Sequence, residues 1–184
     1  EHINTTTEDD SILNRLELND GCEFFFSLGS KYKHKNFRWI LESARYNPKY
    51  KFVITGTGPF SNNENELKMV VPKNVIFTGY ITNEEIKSLM IHCKALIQPS
   101  LYEGFGLPPL EALSVGASIV VSNKSCLPEI YKGVAHYIDP YNYNVDLDKL
   151  MDESVDNPKI VLDEYTWERA AAQLLNVLYK EGNR

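Results

Sequence analysis

Lys94-Ala95-Leu96-Ile97-Gln98-Pro99-Ser100-Leu101-Tyr102-Glu103-Gly104-Phe105-Gly106-Leu107-Pro108-Pro109-Leu110-Glu111-Ala112-Leu113 is the stretch on which the reading of this chain turns. It opens as a short apolar strand, Lys94 to Gln98, and passes through a loop with two glycines. It then enters a helix near Pro108 or Pro109, where proline is tolerated in the first turn. Gly104 and Gly106 permit backbone conformations that expose N–H groups, and the helix presents free amides and the positive end of its dipole. A phosphate or a sugar hydroxyl can be held there without a basic side chain. Glu103 lies on the loop and Glu111 in the first turn or so of the helix, and two carboxylates are good acceptors for pairs of hydroxyls. The plainer reading is a tight turn and an acid that favours a helix start, because a glycine loop alone is weak evidence of a ligand.

On either side of this stretch, apolar runs alternate with amphipathic ones. Cys22 to Leu28, Lys51 to Thr55, Asn74 to Thr78, Ser118 to Ser122 and Ala135 to Ile138 join Lys94 to Gln98 as strands, and their near-continuous hydrophobicity suggests cover on both faces. Asn36 stands as N-cap before Phe37, Ile40, Leu41 and Ala44, spaced as one buried helical face. Thr82 and Glu85 form a capping box ahead of Ile86, Leu89, Met90 and Cys93, and a weaker helix covers roughly Asn65 to Val71. Strand and helix in alternation predict an α/β fold, a doubly wound parallel sheet with helices on both faces, whose ligands sit beyond the carboxyl ends of the strands.

A second cluster, Gly29-Ser30-Lys31-Tyr32-Lys33-His34-Lys35-Asn36, again follows a strand and precedes a helix. Cationic groups at a helix N-terminus oppose its dipole, an arrangement that an anion shared with the backbone would relieve. A solvated lysine-rich loop is the alternative. Gly56-Thr57-Gly58-Pro59 lacks the spacing of a dinucleotide fingerprint and reads as a structural turn. There is no Gly-x-Ser-x-Gly elbow, and His2, His34, His92 and His136 have no metal-ligand spacing; His92 falls near an apolar face.

The 184 residues, 43% of them hydrophobic, suffice for one globular domain with a short extension. A net charge of -6 gives no reason to expect nucleic acid as a partner, so any anion site must be local. Cys22, Cys93 and Cys126 are widely spaced and odd in number, which argues for reduced packing residues rather than disulfides or zinc. No run has the length of a membrane span, and a cytoplasmic, soluble chain is the expectation. Residues 1–21 are polar and read as a linker or leading segment, with 22–184 as the domain. An acidic helical stretch spans about Val145 to Asp156. A final helix follows Thr166, and its Ala171, Leu174, Leu175 and Leu178 form a stripe that must pack on something.

Taken in order, Gly29-Ser30 with Lys35-Asn36, Gly56-Thr57-Gly58-Pro59, Phe77-Thr78-Gly79-Tyr80-Ile81, Pro99-Ser100 with Glu103-Gly104-Phe105-Gly106-Leu107-Pro108 and Glu111-Ala112, and Leu127-Pro128-Glu129 resemble the C-terminal half of family 4 glycosyltransferases of the GT-B fold. The resemblance covers about residues 22–181 and centres on the family's pair of glutamates, Glu103 and Glu111. It implies a Rossmann-like donor-binding domain, normally joined to an N-terminal acceptor domain that residues 1–21 cannot supply. The chain is therefore expected to be a fragment that binds donor and is inactive alone. A stand-alone nucleotide-sugar-binding module or subunit is the alternative.

Carried over by the resemblance, Glu111 would bind the ribose hydroxyls. Glu103 and the backbone of Gly104, Phe105, Gly106 and Leu107 would face the donor sugar and its phosphate. Lys35 would neutralise the diphosphate, with Ser30 at the place of a frequent family arginine and His34 beside it. Tyr80 and Ile81 would touch the base, mainly through backbone. The implied reaction is hexosyl transfer with retention of configuration and no metal or other cofactor, from a GDP- or UDP-linked sugar to a glycan or lipid-linked acceptor. Bacterial polysaccharide or O-antigen synthesis is the expected setting, and membrane contact is expected only through a full-length enzyme.

Overall fold

The computed structural model describes residues 2–19, 21–29, 32–56 and 71–182. Six parallel strands form one sheet: β1 (Phe24–Leu28), β2 (Lys51–Thr55), β3 (Val75–Gly79), β4 (Ala95–Gln98), β5 (Ile119–Ser122) and β6 (His136–Ile138), in the order β3-β2-β1-β4-β5-β6. Each lies within two residues of its sequence expectation. The order reverses direction between β1 and β4, which makes their carboxyl ends the switch point of the sheet.

Side chains of successive residues leave a strand on opposite faces, so each apolar strand feeds two cores. Phe24 and Phe26 join Val53, Leu96, Ile119 and Val121 on one face; Phe25 joins Phe52, Ile54, Ala95, Ile97 and Val120 on the other. The helices divide accordingly. α3 (Phe37–Tyr46) and α7 (Leu147–Met151) pack on the second face. α2 (Ser11–Arg15), α4 (Asn83–His92), α5 (Leu107–Ser114), α6 (Leu127–Tyr131) and α8 (Lys159–Leu162) pack on the first, and the short α1 (His2–Thr5) joins them through Ile3. The doubly wound α/β expectation is thereby met. The helix expected at Asn65 to Val71 falls almost wholly outside the described residues, and Val71 itself is not helical.

Local signals differ in how they survive tertiary contact. The capping box of α4 forms: the Thr82 amide donates to Glu85 Oε2 at 2.8 Å and the Glu85 amide to Thr82 Oγ1 at 3.3 Å. Thr82→Ala is accordingly expected to lower stability by about 1 kcal/mol in urea unfolding. Asn36 does not cap α3 with its side chain. It adopts a left-handed backbone (φ 54°), and its amide donates to the carbonyls of Pro99 and Pro140, at 3.1 and 2.9 Å. Two part-buried loop carbonyls need a donor more than the exposed end of a helix does, and asparagine tolerates the left-handed conformation.

The leading segment packs on the domain. Ile3, Ile12, Leu13 and Leu18 are buried in the first core, Lys87 Nζ donates to the Thr6 carbonyl at 2.8 Å, and Arg15 pairs with Glu85 at 2.6 Å. Four well-placed apolar side chains are enough to dock a segment whose composition is otherwise polar. His92, expected near an apolar face, is exposed instead, its Nδ1 against the Ser88 carbonyl. The cysteines are unpaired, and burial pushes the Cys93 thiol up to about 12. Among the described residues no helix is long and apolar enough to cross a membrane.

The final helix, α9 (Trp167–Gly182), is entered through Thr166, whose Oγ1 accepts from the Arg169 amide. Its stripe does not pack: Leu174, Leu175 and Leu178 are 61%, 52% and 58% exposed.

Candidate functional site

The loops that follow β1 and β4 meet at the switch point. Lys33–Lys35 forms a single 3-10 turn, and the Leu101 amide donates to the His34 carbonyl at 2.7 Å, stitching one loop to the other. Asn36 adds its bond to Pro99. The β1 loop is also pressed against the β2 loop, since a Cβ at Gly56 would stand 2.2 Å from the Gly29 carbonyl oxygen. Gly56 has φ +125°, while Thr57, Gly58 and Pro59, and with them the expected turn, lie outside the described residues.

At the junction Lys35 Nζ reaches both carboxylate oxygens of Glu103, at 2.8 and 3.0 Å. Their side chains are 20% and 9% exposed, so this is a largely buried ion pair, which is retained only when its hydrogen bonds are satisfied. They are satisfied here. Glu103 Oε1 also accepts from Gln98 Nε2 at 2.9 Å and from Ser100 Oγ at 2.6 Å. The loop's main chain is held from the β5–α6 connection: the Glu103 amide donates to Ser125 Oγ, and that hydroxyl donates to the Glu103 carbonyl.

Beyond Glu103 the backbone turns sharply. Gly106, at φ +85°, is the residue from which α5 springs; its carbonyl accepts from the buried Tyr131 hydroxyl, and a Cβ there would stand 2.7 Å from Leu127 Cδ2. Burial among apolar neighbours pushes the Tyr131 hydroxyl well above the usual tyrosine range and keeps it a neutral donor. The amides of Gly104, Phe105 and Gly106 have no acceptor among the described residues. Three successive free N–H groups ahead of a helix N-terminus form a concentration of positive partial charge beside the Lys35–Glu103 pair.

The other expected site residues are placed unequally. Glu111 is the fifth residue of α5, in its second turn rather than its first, half-buried and on the helix face shared with Leu107 and Pro108. His34 is exposed and stacks on Tyr32 with ring centroids 5.6 Å apart. Tyr80, 90% exposed, follows the edge strand β3, about 10 Å in strand spacings from β1. The Ile81 side chain is in the core, so only its backbone is available to a ligand. Ser30 lies outside the described residues. Among the described residues no three His, Cys, Asp or Glu side chains gather as a metal-holding group.

Sequence reasoning missed Gln98 and Ser125. A polar residue closing a buried strand was a signal that could have found Gln98. Ser125 gave none, because its partner is 22 positions away.

Comparison with known proteins then bears on the arrangement. The sequence model of the family "Glycosyl transferases group 1" matches residues 8–181. The serotype-specific mannosyltransferase WbdA of Escherichia coli is 29% identical over 155 residues, 79% of this chain and 19% of that protein. O-antigen chain mannosyltransferase B of Escherichia coli is 26% identical over 168 residues, 81% of this chain and 44% of that protein. The chain spans less than half the length of these curated relatives. Among solved structures, Anabaena HepE in complex with UDP and glucose superposes with a TM-score of 0.71 at 19% identity, covering 97% of this chain and 55% of that one. The fold is thus the Rossmann-like half of the GT-B architecture.

Proposed function

Because the chain belongs to the family of glycosyl transferases group 1, we propose that it is the donor-binding domain of a retaining glycosyltransferase that moves a mannosyl or related hexosyl group from a nucleotide sugar. The acceptor in this reading is a glycan or lipid-linked saccharide of polysaccharide or O-antigen synthesis, in keeping with the names of the mannosyltransferase relatives. The observation that carries it is the Lys35–Glu103 pair at the β1/β4 switch point, beside the free amides of Gly104, Phe105 and Gly106.

The chemistry follows from what those groups can offer. An ammonium has three protons; two are directed at Glu103 and one remains for a phosphate oxygen. Since the pair is neutral overall, the charge that develops on the departing diphosphate is met by that one proton, by the loop amides and by the dipole of α5. No metal enters this reading. The bond between the anomeric carbon and the diphosphate oxygen breaks as the acceptor oxygen attacks from the same face, and the acceptor proton passes to the departing phosphate oxygen. Glu103 and the loop backbone orient the sugar, Glu111 receives the ribose hydroxyls, and the Tyr80–Ile81 backbone meets the base. The roughly 10 Å between the β3 and β1 loops suits a nucleoside lying across the strand ends.

The test is calorimetric titration of this chain with GDP-mannose, UDP-glucose, UDP-N-acetylglucosamine, GDP and UDP, beside Glu111→Ala. One donor series is expected to bind selectively, and Glu111→Ala is expected to weaken it about 10- to 100-fold, the worth of a hydrogen bond to a charged group. Binding indifferent to Glu111→Ala removes the ribose assignment; no binding by any of the five removes this chain's independent donor site.

A further inference from the structure

Glu103 is held from more directions than its bond to Lys35 requires. Among the described residues, Oε1 takes three donors, from Lys35, Gln98 and Ser100, while Oε2 takes Lys35 alone, at 3.0 Å. Gln98 and Ser100 are themselves buried, at 4% and 0% exposure, so neither turns freely. Two features of this arrangement are costly. The negative oxygen dictates that Gln98 aim its nitrogen inward, and Gln98 Oε1 is left buried without a partner among the described residues. Ser125 adopts a left-handed backbone with φ +58°, and in that conformation its hydroxyl bridges the Glu103 amide and carbonyl at 3.2 and 2.8 Å. An orphaned buried acceptor beside the Glu103 carboxylate and a strained non-glycine residue on the Glu103 backbone, converging on one residue, mark a geometry that the fold maintains for a purpose beyond stability.

We infer that Gln98, Ser100 and Ser125 are positioning residues for Glu103. Gln98 and Ser100 set the rotation of its carboxylate, and Ser125 sets its backbone. Oε1 is thereby saturated, and the open lone pairs of Oε2 are turned toward the hexose of the bound donor, while the third proton of Lys35 stays with the diphosphate. The inference rests on the donor-site reading above and adds which residues select for the sugar rather than for the nucleotide.

The experiment compares, for wild type and each variant, the affinity for the best nucleotide sugar with that for its nucleoside diphosphate; their ratio isolates the sugar's own contribution. Ser100→Ala and Gln98→Met are each expected to reduce that ratio about tenfold, with the diphosphate affinity unchanged. Ser125→Gly, which relieves the left-handed strain while removing the hydroxyl, is expected to lower the ratio several-fold with a thermal midpoint equal to or above that of wild type. Equal weakening of both ligands, or an unchanged ratio in all three variants, overturns the inference. Glu103→Gln separates the two levels: if it leaves sugar-nucleotide affinity untouched, the donor-site reading itself fails. Crystal structures of unliganded Ser100→Ala and Gln98→Met decide the positioning role without any ligand. A Glu103 carboxylate turned off Lys35 supports it, and a carboxylate unmoved in both overturns it.

Discussion

Replacing Lys35 by methionine is expected to lower the unfolding free energy by about 3 kcal/mol, the lower end of the range for removing one partner of a buried pair. The Glu103 side chain is 9% exposed and would be left with two neutral donors, Gln98 and Ser100, to carry its charge. Those donors, and the 20% of the Lys35 side chain that water already reaches, keep the loss from being larger. Adding Glu103→Gln in the Lys35→Met background removes the stranded charge while keeping an acceptor for Ser100, so it is expected to recover about half the loss, a coupling that a double-mutant cycle reads directly. Urea unfolding of the four proteins is the check. A loss under about 0.5 kcal/mol, the scale of ordinary surface substitutions, would make Lys35 a solvated loop lysine. The single variant is also expected to lose the thermal stabilisation conferred by a nucleoside diphosphate, because the one spare ammonium proton goes with it.

Gly106→Ala is the second large effect, expected at about 2–4 kcal/mol. A left-handed backbone at φ +85° costs an alanine about 1–2 kcal/mol. Its Cβ would also stand 2.7 Å from Leu127 Cδ2 and 3.3 Å from Gln98 Nε2, which adds about 1–3 kcal/mol of overpacking, reduced because the leucine tip can turn. The clash falls on the residue from which α5 starts and on the side chain that orients Glu103, so donor affinity is expected to fall together with stability. Gly104→Ala is the contrasting case: nothing lies within 4 Å of its Cβ, and its stability in urea is expected to stay within about 0.5 kcal/mol of wild type. Equal behaviour of the two alanines would show that the loop tolerates a side chain at its tightest point.

Thr82→Ala costs less than these because the threonine is exposed and its cap bonds are only part-buried, whereas Lys35 and Gly106 belong to contacts from which water is largely excluded.

The sheet, the alternation of strand and helix, the capping box at Thr82 and Glu85, and the loop that carries Glu103 are all legible in the amino-acid sequence. All of these are written in residues within a few positions of one another: apolar runs of strand length, helical spacing, a threonine three residues before a glutamate, glycines after a strand. The family resemblance extended that legibility to Lys35, which meets Glu103, because a motif preserves the outcome of contacts that the spacing of a single chain does not reveal. Which distant groups meet is settled by the folded chain. Lys35 finds Glu103 across 68 positions, Asn36 abandons its cap for Pro140 across 104, and Ser125 grips Glu103 across 22. Ile3, Ile12, Leu13 and Leu18 turn a polar leader into part of the core, while the leucines of α9, a packing stripe by their spacing, stay exposed. For the three polar pairs the reason is common: a side chain's partner is chosen by whichever unsatisfied donor, acceptor or charge the sheet order brings within reach at the strand ends, and that order is not a property of any local segment.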